Sequence, residues 1–229
     1  IMNNPNKFIY ARPANSGPGR TFLMGLPYLL GDKDPQDPVN GWEKTWAFLK
    51  DIDPYIEYYP SRTGDVVAEL ANGTRAMMVS TMGWDINPRV LGNMPPDYQT
   101  IQLEGTSFVA DAQFMVVPKG LDNDHLAVVL DLMAWMLKPD QQAIAYDKGY
   151  FYPGPAVKDV DSSMAPEESQ QAIKDFGRPE YDDMAANTPV VLPLAADNLV
   201  KAFAMWDEQI GGNKIKIPPT AVPTPTTAP

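Results

Sequence analysis

Cysteine is absent from the 229-residue chain, and histidine occurs once, at His125. The first absence excludes disulfides, zinc–thiolate centres and thiol nucleophiles. The second excludes metal sites built on two histidines and obliges any Ser–His–Asp triad to use His125. Basic residues are scarce as well: 18 Lys and Arg stand against 29 Asp and Glu, a formal net charge of −11. Such a surface repels phosphate backbones and anionic lipid, which argues against nucleic-acid binding and against electrostatic docking on membranes. No run approaches the ~20 apolar residues of a transmembrane helix, so direct membrane insertion is not expected. No signal peptide is readable, and a chain that opens on Ile1 leads to the expectation that something upstream has been removed.

What is present suffices for a core. Hydrophobic residues make up 44% and charged residues 21% of the chain, a globular balance at a length that fits one or two domains. Short β-like runs alternate with helical patterns. "KFIYARP" (7–13) reads as a strand stopped by Pro13, "IEYYP" (56–60) as a second and "RAMMVSTMG" (75–83) as a third, buried one. Helices are predicted from Pro18 to Leu30, over 39–52 with Trp42, Trp46, Phe48 and Leu49 at helical spacing, and over 63–74 with Asn72-Gly73 as the stop.

Further on, "YQTIQLEGTSF" (98–108) and "AQFMVVPKG" (112–120) read as strands, the latter the clearest in the chain. A long apolar helix at 122–138 is expected to be buried, with Asp122 at its cap and His125 on the surface. Helices at 138–149, 166–177 and 195–212 follow, while "EYDD" (180–183) reads as a solvated loop. Trp42, Trp46 and Trp135 are assigned to the core. The alternation predicts an α/β fold with sheets covered on both faces. From 215 to 229 the sequence is Pro/Thr/Ala-rich, an expected disordered tail.

Three stretches carry candidate binding chemistry. In "NSGPGRT" (15–21), Ser16, Gly17, Gly19, Arg20 and Thr21 stand at a helix start, where free N–H groups, a hydroxyl and a guanidinium together suit an anion. The same residues also read as an ordinary turn capped by Ser16. In "STMGWDINP" (80–88), Ser80, Thr81, Trp84 and Asp85 follow a strand, at the end where open α/β sheets bind ligands. Trp84 suits a ring or a cation and Asp85 an amine; a core tryptophan and a turn-capping aspartate fit equally. In "KGYFYPGP" (148–155), Tyr150 and Tyr152 flank Phe151 in a Gly/Pro loop, either a preformed aromatic wall or a loop packed on itself. Tyr10 and Arg12 are weaker candidates. No motif indicates a catalytic residue, a metal or a cofactor.

The run "AQFMVVPKGLDNDHLAVVLDLMAWMLKPDQQAIAYDKGYFYPGP" resembles the late segment of bacterial extracellular solute-binding proteins, the ligand-capturing subunits of ABC importers. The matching elements are Val117-Pro118-Lys119-Gly120, the helix from Ala127 to Leu137, Pro139 to Ala143, and the loop from Gly149 to Pro153. "KFIYARPANSGPGRTFL" and "TGDVVAELANGTRAMMVSTMGW" resemble the family too, with wording nearest the thiamine- and spermidine-type binders.

The resemblance covers 7–212 and implies a two-lobed type II periplasmic-binding fold. Residues 1–111 would form the second lobe, and 112–214 would return to the first. The family's opening lobe segment, roughly a hundred residues and so domain-sized, has no counterpart here, which implies a fragment. It also implies a non-enzymatic protein of the periplasm or cell exterior, with an anchor, if any, in a removed N-terminal segment. A small solute, anionic or ring-containing and thiamine-like, would be captured between the lobes and passed to the transporter's membrane subunits. Two other readings stay open: an α/β hydrolase using acidic residues, and a cell-surface adhesion module spaced by its Pro/Thr tail.

Overall fold

A computed structural model describes residues 1–110 and 112–217. Strand β1 (Phe8–Ile9) runs to Pro13, whose fixed φ starts a single 3-10 turn over Pro13–Asn15. Helix α1 (Gly17–Leu30) begins at once. Ser16 is its N-cap, accepting from the Gly19 amide at 3.2 Å, and Pro18 occupies a first-turn position whose N–H has no helical partner. Helix α2 (Glu43–Ile52) turns Trp46, Leu49 and Ile52 inward. Its start is held from outside by Asp32, which accepts from the Lys44 and Thr45 amides at 2.7 and 3.0 Å.

Then come β2 (Tyr59–Pro60), α3 (Thr63–Ala71), β3 (Met77–Met78), α4 (Ile86–Val90) and β4 (Phe108–Val109). The second half holds α5 (Asn123–Met136), α6 (Pro139–Ala143), α7 (Glu167–Phe176), α8 (Glu180–Asn187), β5 (Val190–Val191), α9 (Ala196–Trp206) and β6 (Ile215–Lys216). About half the chain is helical, and the described strands form three parallel two-stranded pairs: β1 with β3, β2 with β6, and β4 with β5.

The main core is built by β1, α1, α2 and β2 and is closed by α9. Tyr10, Tyr59 and Trp206 meet edge to face, with Tyr59 4.9 Å from each of the other two rings. The polar ends of this aromatic box are paired: the Trp206 indole N–H donates to the Tyr10 hydroxyl at 3.1 Å, and the Tyr59 hydroxyl donates to Asp53 at 2.8 Å. Burial pushes the Tyr10 phenol upward, and burial followed by the charge of Tyr10 does the same to Tyr59. A Cβ on Gly211 would lie 2.5 Å from both Trp206 and Tyr59, so only glycine fits against the box. Arg12 and Asp207 form an ion pair across its rim, with Arg12 Nε donating at 2.8 Å. Residues 194–216 therefore pack onto the core made by residues 8–59.

Several expectations need correction. The strand predicted over 75–83 is paired only at Met77–Met78, and Met77 is 40% exposed, not buried. Of 98–108 only Phe108 is in a strand. The run 112–120 forms no strand among its described residues, because no second strand lies beside it; Phe114 and Val116 are more than three-quarters exposed. Helix α5 forms as expected, capped by Asp122, which accepts from the His125 amide, but none of its residues is buried. Trp135 is accordingly half-exposed, unlike the buried Trp42 and Trp46. "EYDD" begins α8, with Tyr181 fully buried, because the tyrosine has a carboxylate to bond inside the protein. Ile215 and Lys216, placed by sequence at the head of the tail, pair with β2; the tail from 218 onward lies outside the described residues.

Candidate functional site

Because Phe8 pairs with Met77 and Ile9 with Met78 in parallel, the chain leaves β1 and β3 at the same edge. The turns that follow, 10–16 and 79–85, both start there, the edge at which parallel strands present ligand-binding loops. Ser80 is exposed at the head of the second turn, its hydroxyl donating to the Thr81 carbonyl at 3.2 Å, and Thr81 is half-buried. Trp84 packs its partly buried ring on Val67, Leu70 and Met94.

The aromatic loop reaches this turn from 69 positions further along the sequence. Gly83, at φ 76, has the Tyr152 ring directly against its Cα: a Cβ there would lie 3.1 Å or less from three Tyr152 atoms. The positive φ and the close approach both require glycine. Just behind, Gly149 at φ 86 leaves no room for a Cβ against Ile86, and the Asn87 side-chain Nδ2 donates to the Asp147 carbonyl at 3.1 Å. Two of the three sequence candidates are thus one surface. Tyr152 completes it by donating to Asp182 at 3.1 Å and lying 5.7 Å from the Tyr181 ring.

Asp85 serves this surface from beneath. It is buried and faces two guanidiniums, Arg89 at 2.8 Å and Arg178 at 3.1 Å, and accepts from the Tyr181 hydroxyl. Tyr181 is pushed up to about 12 by burial and then by that bond to Asp85. A carboxylate compensated by two cations is a tie between α4 and α8. The amine partner expected of Asp85 would have to displace them.

The start of α1 is largely occupied by its own capping. Ser16 is buried and lies 2.8 Å from the Thr63 hydroxyl; Gly19 donates to Ser16, Arg20 donates its amide to the Ser16 carbonyl, and Pro18 has no N–H. Of the first four positions only Gly17 keeps an amide outside these bonds. Thr21 donates to the Gly17 and Pro18 carbonyls. Gly19 is needed for packing, since a Cβ would run into the Ala11 carbonyl.

Tyr150 points elsewhere. Its ring meets Phe151 edge to face at 5.3 Å, and together with Trp135, Met136, Ile144 and Asp147 they line a surface groove of about 510 Å³. Sequence reasoning missed Trp135, assigned to the core by its helical spacing, and Asp147, which no motif marks. No local signal marked either one, since a helix apolar on most sides reads as buried. No cluster of three metal-ligating residues exists among the described residues.

The family model of the bacterial extracellular solute-binding proteins matches residues 2–177, well over half the chain. The chain belongs to that family. The match spans β1 to α7 and so includes both loops of the surface and the groove. The family binds solutes outside the cell and is not enzymatic, so the hydrolase reading falls. A search of curated proteins finds no match. No helix among the described residues is long and apolar enough to cross a membrane.

Proposed function

We propose that this chain captures a small solute for an ABC importer, in the periplasm or at the cell surface, and that the turn 80–85 and the loop 149–153 form one wall of its site. The observation that carries the reading is the seating of Tyr152 on Gly83 at the carboxyl edge of β1 and β3. It gives a rigid wall with hydroxyls at Ser80 and Thr81 and flat surface at Trp84 and Tyr152. That combination suits a ligand with a ring and hydroxyl or charged substituents, thiamine-like for instance; sugars and polyamines satisfy the same groups. Ser16 to Thr21, which follow the neighbouring strand β1, are a secondary contact in this reading. Asp85 acts by fixing the wall.

In this reading residues 1–111 belong to one lobe and residues 112–214 return to the other, and closure of the two lobes would cover the bound solute. The transporter's membrane subunits would then recognise the closed form.

The test is a thermal-shift screen of sugars, polyamines, carboxylates and phosphorylated ring compounds, followed by calorimetry on hits. A binding solute should raise the melting temperature, and Trp84→Leu should weaken it about tenfold or more. If no class stabilises the chain, or if hits bind Trp84→Leu and Tyr152→Leu unchanged, the wall is misassigned.

A further inference from the structure

The groove beside the aromatic loop has a polarity of its own. Three rings border it: Trp135, Tyr150 and Phe151, each between 41% and 48% exposed. Such exposure leaves ring faces available, and a ring face attracts cations through its quadrupole.

Its polar groups are acceptors. The Asp147 carboxylate has neither ion pair nor hydrogen bond among the described residues; its neighbour Lys148 pairs with Glu168 at 3.2 Å. Gln142 donates its amide nitrogen to the Met136 carbonyl at 2.7 Å, and Gln141 donates its own to Asp140 at 2.9 Å. Both of those partners accept only, so the orientation of each amide is fixed by chemistry, and its carbonyl oxygen is left over. No lysine or arginine lines the groove.

The carboxylate is also held in place. Asp147 and Lys148 both have positive φ, 24° and 53°, an unfavourable pair for residues with a Cβ. The kink persists because other elements grip it. Asn87 of α4 donates to the Asp147 carbonyl at 3.1 Å, the Lys148 amide donates to Ser169 of α7 at 3.0 Å, and Gly149 packs against Ile86. Two helices therefore keep Asp147 at the mouth of an aromatic groove in a chain of net charge −11.

From this juxtaposition we infer that the groove is a binding site for an organic ammonium ion, the charge held by Asp147 and the apolar substituents by Trp135, Tyr150 and Phe151. The amine role that the sequence suggested for Asp85 falls instead to the carboxylate with no cation of its own. The inference rests on the solute-binding reading only in taking the chain to be a binder, and it names a ligand class for a part of the surface next to the Gly83–Tyr152 wall.

Choline and its uncharged isostere 3,3-dimethylbutan-1-ol test it directly, by calorimetry and tryptophan fluorescence on the whole chain. Choline should bind at least about fivefold more tightly than the alcohol, as expected for one charge pair near a surface. Asp147→Asn, which retains a side chain tolerant of positive φ, should remove that preference. Trp135→Leu should weaken choline about threefold, the scale of one exposed cation–π contact. Both positions are exposed, so the melting temperatures of the free variants should match the parent. Equal binding of alcohol and choline overturns the assignment, as does choline binding that survives both substitutions, or none at all. Choline binding that is lost in Trp84→Leu but unchanged in Asp147→Asn and Trp135→Leu would overturn it too, while leaving the proposed function intact.

Discussion

Trp206 and Trp135 are the same side chain on two apolar helices, and they have opposite fates. Trp206, at the end of α9, is 1% exposed, ringed by Tyr10 and Tyr59 and hydrogen-bonded through its indole. Trp135, near the end of α5, is 48% exposed. Their helices differ in pattern, since α9 interleaves Asp197, Asn198 and Lys201 with its apolar residues while α5 is apolar on most sides, yet it is α5 that stays uncovered. What separates them is the chain that comes back: α9 closes a core already walled by β1, β2 and α2, whereas α5 leans on short α6 and leaves Val128, Leu130 and Leu132 open. An apolar helix with an uncovered face is a surface suited to contact with something else. A buried one is a structural element.

Matched substitutions break or confirm that contrast most forcefully. Trp206→Ala should cost about 4 kcal/mol, since it empties an aromatic box and strands the Tyr10 hydroxyl. Trp135→Ala should change stability by less than about 0.5 kcal/mol, as exposed substitutions do. Urea titrations of both variants, repeated at several protein concentrations, measure the difference. If Trp135→Ala loses as much as Trp206→Ala, α5 is covered in solution, and a concentration-dependent loss would identify the cover as a second copy.

The same division explains what the sequence could and could not convey. Helices α1, α2 and α3 are legible because their signals are local: Ser16 caps, Pro18 starts, the Trp46–Leu49–Ile52 spacing sets a face and Asn72-Gly73 stops. The 112–120 run misleads because strand propensity is a statement about pairing, and the partner is a distant property of the fold. Burial of α5 was inferred from its own residues, yet burial depends on others. At the candidate site, Ser80 and Trp84 were visible as a polar and aromatic turn after a strand. Nothing in the spacing showed that Gly83 would receive Tyr152. Nor could it show that Asp85 would be neutralised by Arg178, 93 positions away, while Asp147 is left without a cation.

That pair of carboxylates gives the second comparison. Asp85→Asn should cost about 3 kcal/mol, because Arg89 and Arg178 would remain buried without their counter-charge. Asp147→Asn removes an exposed charge that holds nothing in the free protein and should be close to neutral. Thermal melts of the two variants should therefore diverge by several degrees for a chain of this size. Coincident melts would mean that the Asp85 cluster is hydrated and exchangeable, which would return Asp85 to the list of groups able to meet a ligand.

The smallest expected effect sharpens the picture of how the Asp85 tie works. Tyr181→Phe removes the hydroxyl bond to a carboxylate that keeps two arginines, together with the 3.1 Å bond to Thr100, so it should cost about 1.5 kcal/mol at neutral pH. The gap between variant and parent should then close at high pH. In the unfolded chain a tyrosine ionises near pH 10, while in the folded protein Tyr181 is pushed up to about 12. As pH rises through that interval the unfolded state releases its proton first and gains on the folded one. The stability supplied by Tyr181 is thus complete below the unfolded value and lost as pH passes the folded one. Phenylalanine has no proton to lose, and Tyr10 and Tyr59, raised by burial in both proteins, cancel in the difference. Denaturant titrations of the pair from neutral to strongly alkaline pH follow the gap directly. A gap that stays constant would show that the Tyr181 hydroxyl does not bond Asp85 in solution, and that Arg178 alone ties Asp85 to the start of α8.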